Sequence, residues 1–277
     1  MTGEYEIPRG SKLYFGKSAK AKREVENRAV EIFGKHGFEE ISTPLFSYHQ
    51  TPSNDLITFS DDTNNRVALR RDSALEVVRL ILKRLGRTSD HRNYFYIQPV
   101  FAYPTREQNQ IGAEAIGTED LSVLIKICGE ILGALGLKPV LQLGSIALLN
   151  DIQTLLGIDR SLLIKHEINK LLLRDEQWVK PLVELSAADE LESLLAVVPT
   201  NLGQHLAGLK QIYDKSGYKN TVFSPLFYAD MSYYDGYYFR FLLNGEQIAM
   251  GGVYESGDGR ASGFAIYTDT VLRYAHI

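Results

Sequence analysis

At roughly 150 residues per domain, the 277 residues make one large domain or one domain carrying an insertion. With 44% hydrophobic and 23% charged residues the composition is that of a globular protein, and 30 basic against 34 acidic residues lower the expectation of a face built to grip nucleic acid. The single cysteine, Cys128, excludes an internal disulfide framework and, lying in an apolar helical stretch, reads as core.

The segment from Met1 to Lys12 carries Glu4, Glu6 and Arg9 without an apolar core, so no signal peptide is read. The longest apolar stretch, Leu121 to Leu137, is broken by Lys126 and Glu130 and is too short for a bilayer, so a cytoplasmic location and no membrane contact are expected.

The first predicted element is a helix opening at Ser18, with Val25, Ala29, Ile32 and Phe33 on one stripe and Gly37 at its stop. A strand over Phe38–Ser42 ends at Pro44. Leu56–Ser60 and Arg66–Arg70 read as a hairpin around the polar cluster Asp61-Asp62-Thr63-Asn64-Asn65, which lacks the Gly and closing Glu of a calcium loop. A second helix starts at Asp72-Ser73 and runs to Gly86 with Leu75, Val78, Leu82 and Leu85 inward, and Ser73-Ala74-Leu75-Glu76 matches a capping box. Tyr94–Tyr103 and Gln110–Gly117 are strands joined by a polar loop, Pro104–Asn109, too long for a simple turn. A helix over Glu119–Leu135, a strand over Pro139–Leu143 and a run of helices from Ala147 to Tyr213 follow. Strands return from Leu226. Asn244-Gly245, between Tyr237–Leu243 and Glu246–Gly252, is the strongest hairpin signal, and a short helix follows Thr268.

Strands at both ends with helices between predict an α+β fold, an antiparallel sheet flanked by helices and interrupted by a helical insertion at 145–215, within one domain spanning 1–277. No repeat or low-complexity segment is present.

The histidines at 36, 49, 91, 166, 205 and 276 form no i, i+4 pair, so no metal site is expected. Gly257-Asp258-Gly259 with Gly263 lacks dinucleotide spacing, and neither a P-loop nor a nucleophile elbow occurs, so no cofactor is expected. What stands out is polar residues inside apolar strand patterns. Gln110 and Glu114 share one face with Gly112 between them, which would leave room for a ligand, although a merely solvated Glu114 fits the same pattern. Asp72 reads more readily as a helix N-cap than as a ligand group, and Tyr233 and Tyr234 could simply pack.

Together these segments resemble the catalytic domain of a class II aminoacyl-tRNA synthetase, specifically the histidyl enzyme and its paralogues. Arg23–Thr43 followed by Pro44 resembles motif 1, the dimer-forming helix and strand. Leu69-Arg70-Arg71-Asp72 resembles the segment whose acid holds the amino group of histidine. Tyr96–Gly117 resembles motif 2, Ser232–Phe239 the tyrosine-pair histidine motif, and Gly251–Tyr254 with Ser262–Ile266 motif 3. The resemblance implies a class II synthetase-like sheet, and a histidine site formed by Asp72, Gln110, Glu114, Tyr233 and Tyr234.

Three arginines of the synthetase pattern are replaced, by Ala102, Ala229 and Thr270. Losing one charge-stabilising group costs roughly 2–4 kcal/mol of transition-state stabilisation, so losing three argues against amino-acid activation. The resemblance also implies no anticodon-binding domain and no catalytic residues. This selective loss resembles the regulatory subunits of short-form ATP phosphoribosyltransferase, which implies a catalytic partner subunit, a dimer, and L-histidine as effector of the first step of histidine biosynthesis. Two alternatives stay open, a truncated activating enzyme and a synthetase-like scaffold without ligand. Ala74, where the family has Thr, and the loop Pro104–Asn109, which lacks the family's basic, glycine-containing sequence, favour the scaffold, and Arg71 replaces the family's Pro beside the pocket.

Overall fold

The computed structural model describes residues 6–48, 53–85, 90–165, 167–228, 233–256 and 259–275. His49, Gly86, His166, Ala229, Ser232, Gly257, Asp258 and His276 lie outside the described residues.

Helix α1, Gly16–Lys35, buries Val25, Ala29, Ile32 and Phe33, the stripe expected from the 3.6-residue period, and Gly37 leaves it with φ of 73°. Strand β1, Glu39–Glu40, is followed by a small sheet of β2 (Phe46–Ser47), β3 (Thr58–Ser60) and β4 (Arg66–Leu69), in which β3 and β4 form the expected hairpin. Asp61 organises its turn by accepting from the Thr63 and Asn65 amides at 2.9 and 2.8 Å, which leaves that acid committed to backbone.

Helix α2, Ala74–Leu80, continues as one π-helical turn, Ile81–Leu85. Its buried stripe is Val77, Val78 and Ile81, with Leu75, Leu82 and Leu85 only partly covered. The capping box does not form. The Ser73 hydroxyl is buried without a partner, while Asp72 Oδ1 accepts from the Leu75 amide at 3.4 Å and Glu76 turns inward toward Arg79. The acid one residue earlier caps the helix instead, at the Leu75 amide rather than at the Glu76 amide the box would have used.

Strands β5 (Asn93–Ala102) and β6 (Arg106–Ile116) pair without interruption from Asn93↔Ala115 to Ala102↔Arg106. The polar segment expected as a long loop is therefore mostly strand, with a turn over Tyr103-Pro104-Thr105, because the ladder outweighs the polarity of residues that face solvent. Helix α3 (Leu121–Ala134) and strand β7 (Val140–Ser145) lead into helices α4 (Ile146–Leu156), α5 (Arg160–Ile164), α6 (Val179–Glu184), α7 (Ala188–Leu195) and α8 (Thr200–Ser216). Strand β8, Thr221–Phe223, then pairs parallel to β7. Parallel neighbours need a crossover rather than a turn, so this helical run is physically the β7-to-β8 connection.

Strands β9 (Tyr234–Leu243) and β10 (Glu246–Glu255) meet at Asn244-Gly245, where φ is 51° and 78° as the two-residue turn requires. Strand β11, Arg260–Tyr267, and helix α9, Thr268–Val271, complete the large sheet, ordered β1-β5-β6-β11-β10-β9-β7-β8. Its interior is antiparallel as expected. Its two edges, β1 on β5 and β8 on β7, are parallel, a departure that very short strands do not announce.

Alternation divides the sheet into two faces. Phe95, Phe239 and Phe264 point to the helical layer, where the Phe33 and Phe95 rings stack at 4.6 Å. Fully burying one such ring contributes about 1.5–3 kcal/mol. The opposite face carries Tyr96, Gln110, Glu114, Met250, Tyr254 and Tyr267, and there the chemistry collects.

Candidate functional site

Glu114 is wholly buried, at 0% exposure, in the middle of β6. Its carboxylate accepts from the Tyr254 hydroxyl at 2.5 Å and from the Tyr96 hydroxyl at 3.3 Å. The register puts Gly263 directly across from it, and a Cβ there would lie 1.7 Å from Glu114 Oε2, so the side chain lies flat over the glycine. Burial raises the Glu114 carboxyl well above its ordinary range, and the negative charge of Asp72 adds to this against the opposing pull of the two phenols.

A partly open pocket lies beside this acid. It is lined by all five residues inferred from the sequence, Asp72, Gln110, Glu114, Tyr233 and Tyr234, together with Ala74, Tyr96, Met250, Tyr254 and Tyr267. Asp72 enters from the N-terminus of α2, where burial again raises its carboxyl. Its hydrogen bond to the Leu75 amide makes it a helix cap and a cavity wall at once, so the two readings of this residue are not exclusive. The Tyr233 ring stands edge-on to Tyr234 at 4.7 Å and to Tyr254 at 5.3 Å. Burial pushes all three phenols upward, so they stay neutral donors.

The space expected over Gly112 is filled. A Cβ at that glycine would lie 2.3 Å from the Tyr96 ring, its register partner, so the glycine admits an aromatic wall rather than the ligand itself. Tyr96, Tyr254, Gly263 and Tyr267 were not singled out from the sequence. Alternation could have placed Tyr96 and Tyr254 on a face, but not beside Glu114.

Among the described residues no lysine or arginine lines the cavity. Arg70, an obvious cation next to Asp72, is 1% exposed and turns the other way, donating to the carbonyl oxygens of Pro99, Thr43 and Pro44 and to the Thr43 hydroxyl at 2.8–3.1 Å. Arg71 Nε donates to Asp55 at 2.6 Å. Ala102 ends β5, and Thr270, 9% exposed, lies in α9 beside Asp269, whose carboxylate accepts from the Asn109 amide at 2.9 Å. Thus all three positions inferred to have lost arginine are uncharged, and Ala229 lies outside the described residues. No group of three histidine, cysteine or acidic residues able to hold a metal occurs among the described residues, and no described helix is long and apolar enough to cross a membrane.

A tyrosine-walled pocket with two carboxyl groups is chemically matched to a small cation that also carries hydrogen-bond donors. Charge-assisted bonds to the carboxylates and ring contacts with the phenols would hold it.

Comparison with known proteins places these features in a family. The histidyl-tRNA synthetase family profile matches residues 14–271. A relative from Wolinella succinogenes, named ATP phosphoribosyltransferase regulatory subunit, is 42% identical over 97% of this chain and 95% of its own. A relative of the same name from Helicobacter hepaticus is 35% identical over 98% of each chain. Among solved structures, an ATP phosphoribosyltransferase regulatory subunit/histidyl-tRNA synthetase from Bacillus halodurans superposes with a TM-score of 0.84 at 19% identity, covering 100% of this chain and 84% of that one.

Proposed function

The chain belongs to the ATP phosphoribosyltransferase regulatory subunit family, on the framework of the histidyl-tRNA synthetases, and from that premise we propose that it assembles with a catalytic ATP phosphoribosyltransferase subunit and makes it sensitive to histidine through the Glu114 cavity. One observation carries the ligand reading. The acid, amide and tyrosine groups converge on one cavity, while Ala102 and Thr270 stand where the resemblance would put cations for ATP. Such a surface favours an ammonium and an imidazole and offers nothing to a triphosphate.

The free chain is proposed to pair through Arg23–Thr43. An apolar surface beside that segment supports this: Phe46 and Phe59, 56% and 42% exposed, pack edge to face at 5.4 Å, flanked by exposed Leu45 and Tyr48. Sedimentation should give a dimer that Phe46→Asp with Phe59→Asp dissociates.

The decisive experiment mixes this chain with the catalytic phosphoribosyltransferase subunit of its own cells. Phosphoribosyl transfer should rise on mixing and fall when L-histidine is added, and Glu114→Gln should retain the first response while losing the second. Activation without any histidine response would leave the alternative favoured by Ala74 in the cavity wall, a scaffold that does not itself take the effector.

A further inference from the structure

Among the described residues the cavity has two carboxyl groups and no cation, yet an α-amino acid brings a carboxylate of its own. We propose that Arg240, on the same strand as the cavity-lining Tyr234, receives that carboxylate and is the residue that selects an amino acid over the corresponding amine. This assignment rests on the histidine reading above and deepens it.

Register supplies the placement. Arg240 on β9 lies directly across from Met250 on β10, and Met250 lines the cavity. Pairing is regular from Ala249↔Phe241 to Gly252↔Tyr238, so Arg240 and Met250 share a face of the sheet. Directly paired strands hold opposing Cα atoms about 4.5–5.5 Å apart, well within the length of an arginine side chain.

The guanidinium is oriented but not satisfied. Its Nε donates to Gln142 Oε1, and Gln142 in turn donates to the Ser224 hydroxyl, so the near edge of the fork is fixed by an 8%-exposed amide. Its carbon lies 3.6 Å from the centroid of the Phe227 ring, and the Tyr238 hydroxyl pins the Phe227 carbonyl. Among the described residues no carboxylate pairs with Arg240 and its terminal nitrogens make no hydrogen bond. Arg71, Arg260 and Arg273 donate to carboxylates and Arg70 uses both terminal nitrogens on carbonyl oxygens, so this half-buried cation differs from them in its free terminal edge. Burial lowers its proton affinity, as it does for a cation without a counter-charge. A planar guanidinium stacked on Phe227 and anchored through Nε, with its Nη1/Nη2 edge free, is the geometry that takes a carboxylate in bidentate fashion.

The test compares two ligands that differ only in the carboxylate. L-histidine and histamine are titrated calorimetrically into the full chain and into Arg240→Met and Arg240→Lys, with thermal melting run on each protein. The unmodified chain should bind L-histidine more tightly than histamine, by about ten- to a hundredfold. Arg240→Met should erase that preference while leaving histamine affinity unchanged, and Arg240→Lys should keep part of it. A purely structural role predicts equal weakening of both ligands with a lowered melting temperature, and that result, or an undiminished preference in Arg240→Met, overturns the assignment while leaving the cavity reading intact. Absence of L-histidine binding by the unmodified chain, alone and with its catalytic partner, removes the cavity reading and this assignment together.

Discussion

The Tyr254 hydroxyl donates to Glu114 Oε2 at 2.5 Å, joining β10 to β6 across the intervening strand β11. The contact is possible because β11 contributes Gly263 between them, leaving a floor without a side chain on which the carboxyl lies. An acid held this way is half of an ion pair. Two phenols suffice to orient it but not to replace the water removed from its charged form.

Stability of the ligand-free protein should therefore fall as pH rises above the ordinary glutamate value of 4.5. The folded chain holds the Glu114 proton more tightly than the unfolded chain does, so its contribution is fully present below that value and is lost as pH climbs toward the raised folded value. Denaturant midpoints across pH should decline less steeply for Glu114→Gln than for the unmodified chain. Identical slopes would mean that the carboxyl is not perturbed.

A cationic ligand reverses that preference and favours the carboxylate. Histidine binding should then release protons, which calorimetry in two buffers of different ionisation enthalpy detects as a buffer-dependent heat. Glu114→Gln should reduce the release, leaving any part that comes from Asp72, and weaken binding by about 1–3 kcal/mol, the range for a hydrogen bond to a charged group.

Gly263→Ala forces a Cβ to within 1.7 Å of Glu114 Oε2. Overpacking of this kind costs roughly 1–3 kcal/mol and displaces the acid, so both the melting temperature and histidine affinity should drop. Gly133→Ala is the control. Nothing lies within 4 Å of a Cβ there, in α3, and the substitution should stabilise the chain by roughly 0.5–1 kcal/mol.

Arg70→Ala should destabilise the fold by about 3–5 kcal/mol in chemical denaturation, because the buried guanidinium holds three carbonyl oxygens that would be left without donors. Arg71→Ala removes a surface pair that holds the Asp55 carboxyl at about 2, chiefly through its hydrogen bond to Arg71, and should cost about 1 kcal/mol or less. Similar losses in the two variants would contradict this division.

The purified chain should catalyse no histidine-dependent exchange between ATP and pyrophosphate. Ala102 and Thr270 offer no charge to a triphosphate, and the acid beside Thr270 is committed to Asn109. Exchange above background would restore the enzyme alternative.

Local periodicity was enough to read the α1 stripe, the Asn244-Gly245 turn and the common face of Gln110 and Glu114, because each depends on residues a few positions apart. The cap of α2 was misread since Asp72 and Ser73 both suit it, and only packing decides which oxygen reaches the amide. The direction of Arg70 was equally undetermined by its neighbours in sequence, as its acceptors lie 26 to 29 positions away.

The sequence by itself determined which residue types line which face of each strand, and with them the acid, amide and tyrosine content of the site. Only the tertiary structure decided which strand lies beside which. That choice puts Tyr96 over Gly112, Tyr254 on a carboxylate 140 positions away and Arg240 across from Met250. The physical reason is that a strand's period of two fixes the side of the sheet a residue faces, whereas its neighbour across the ladder depends on strand order and register, which are set by packing the whole core.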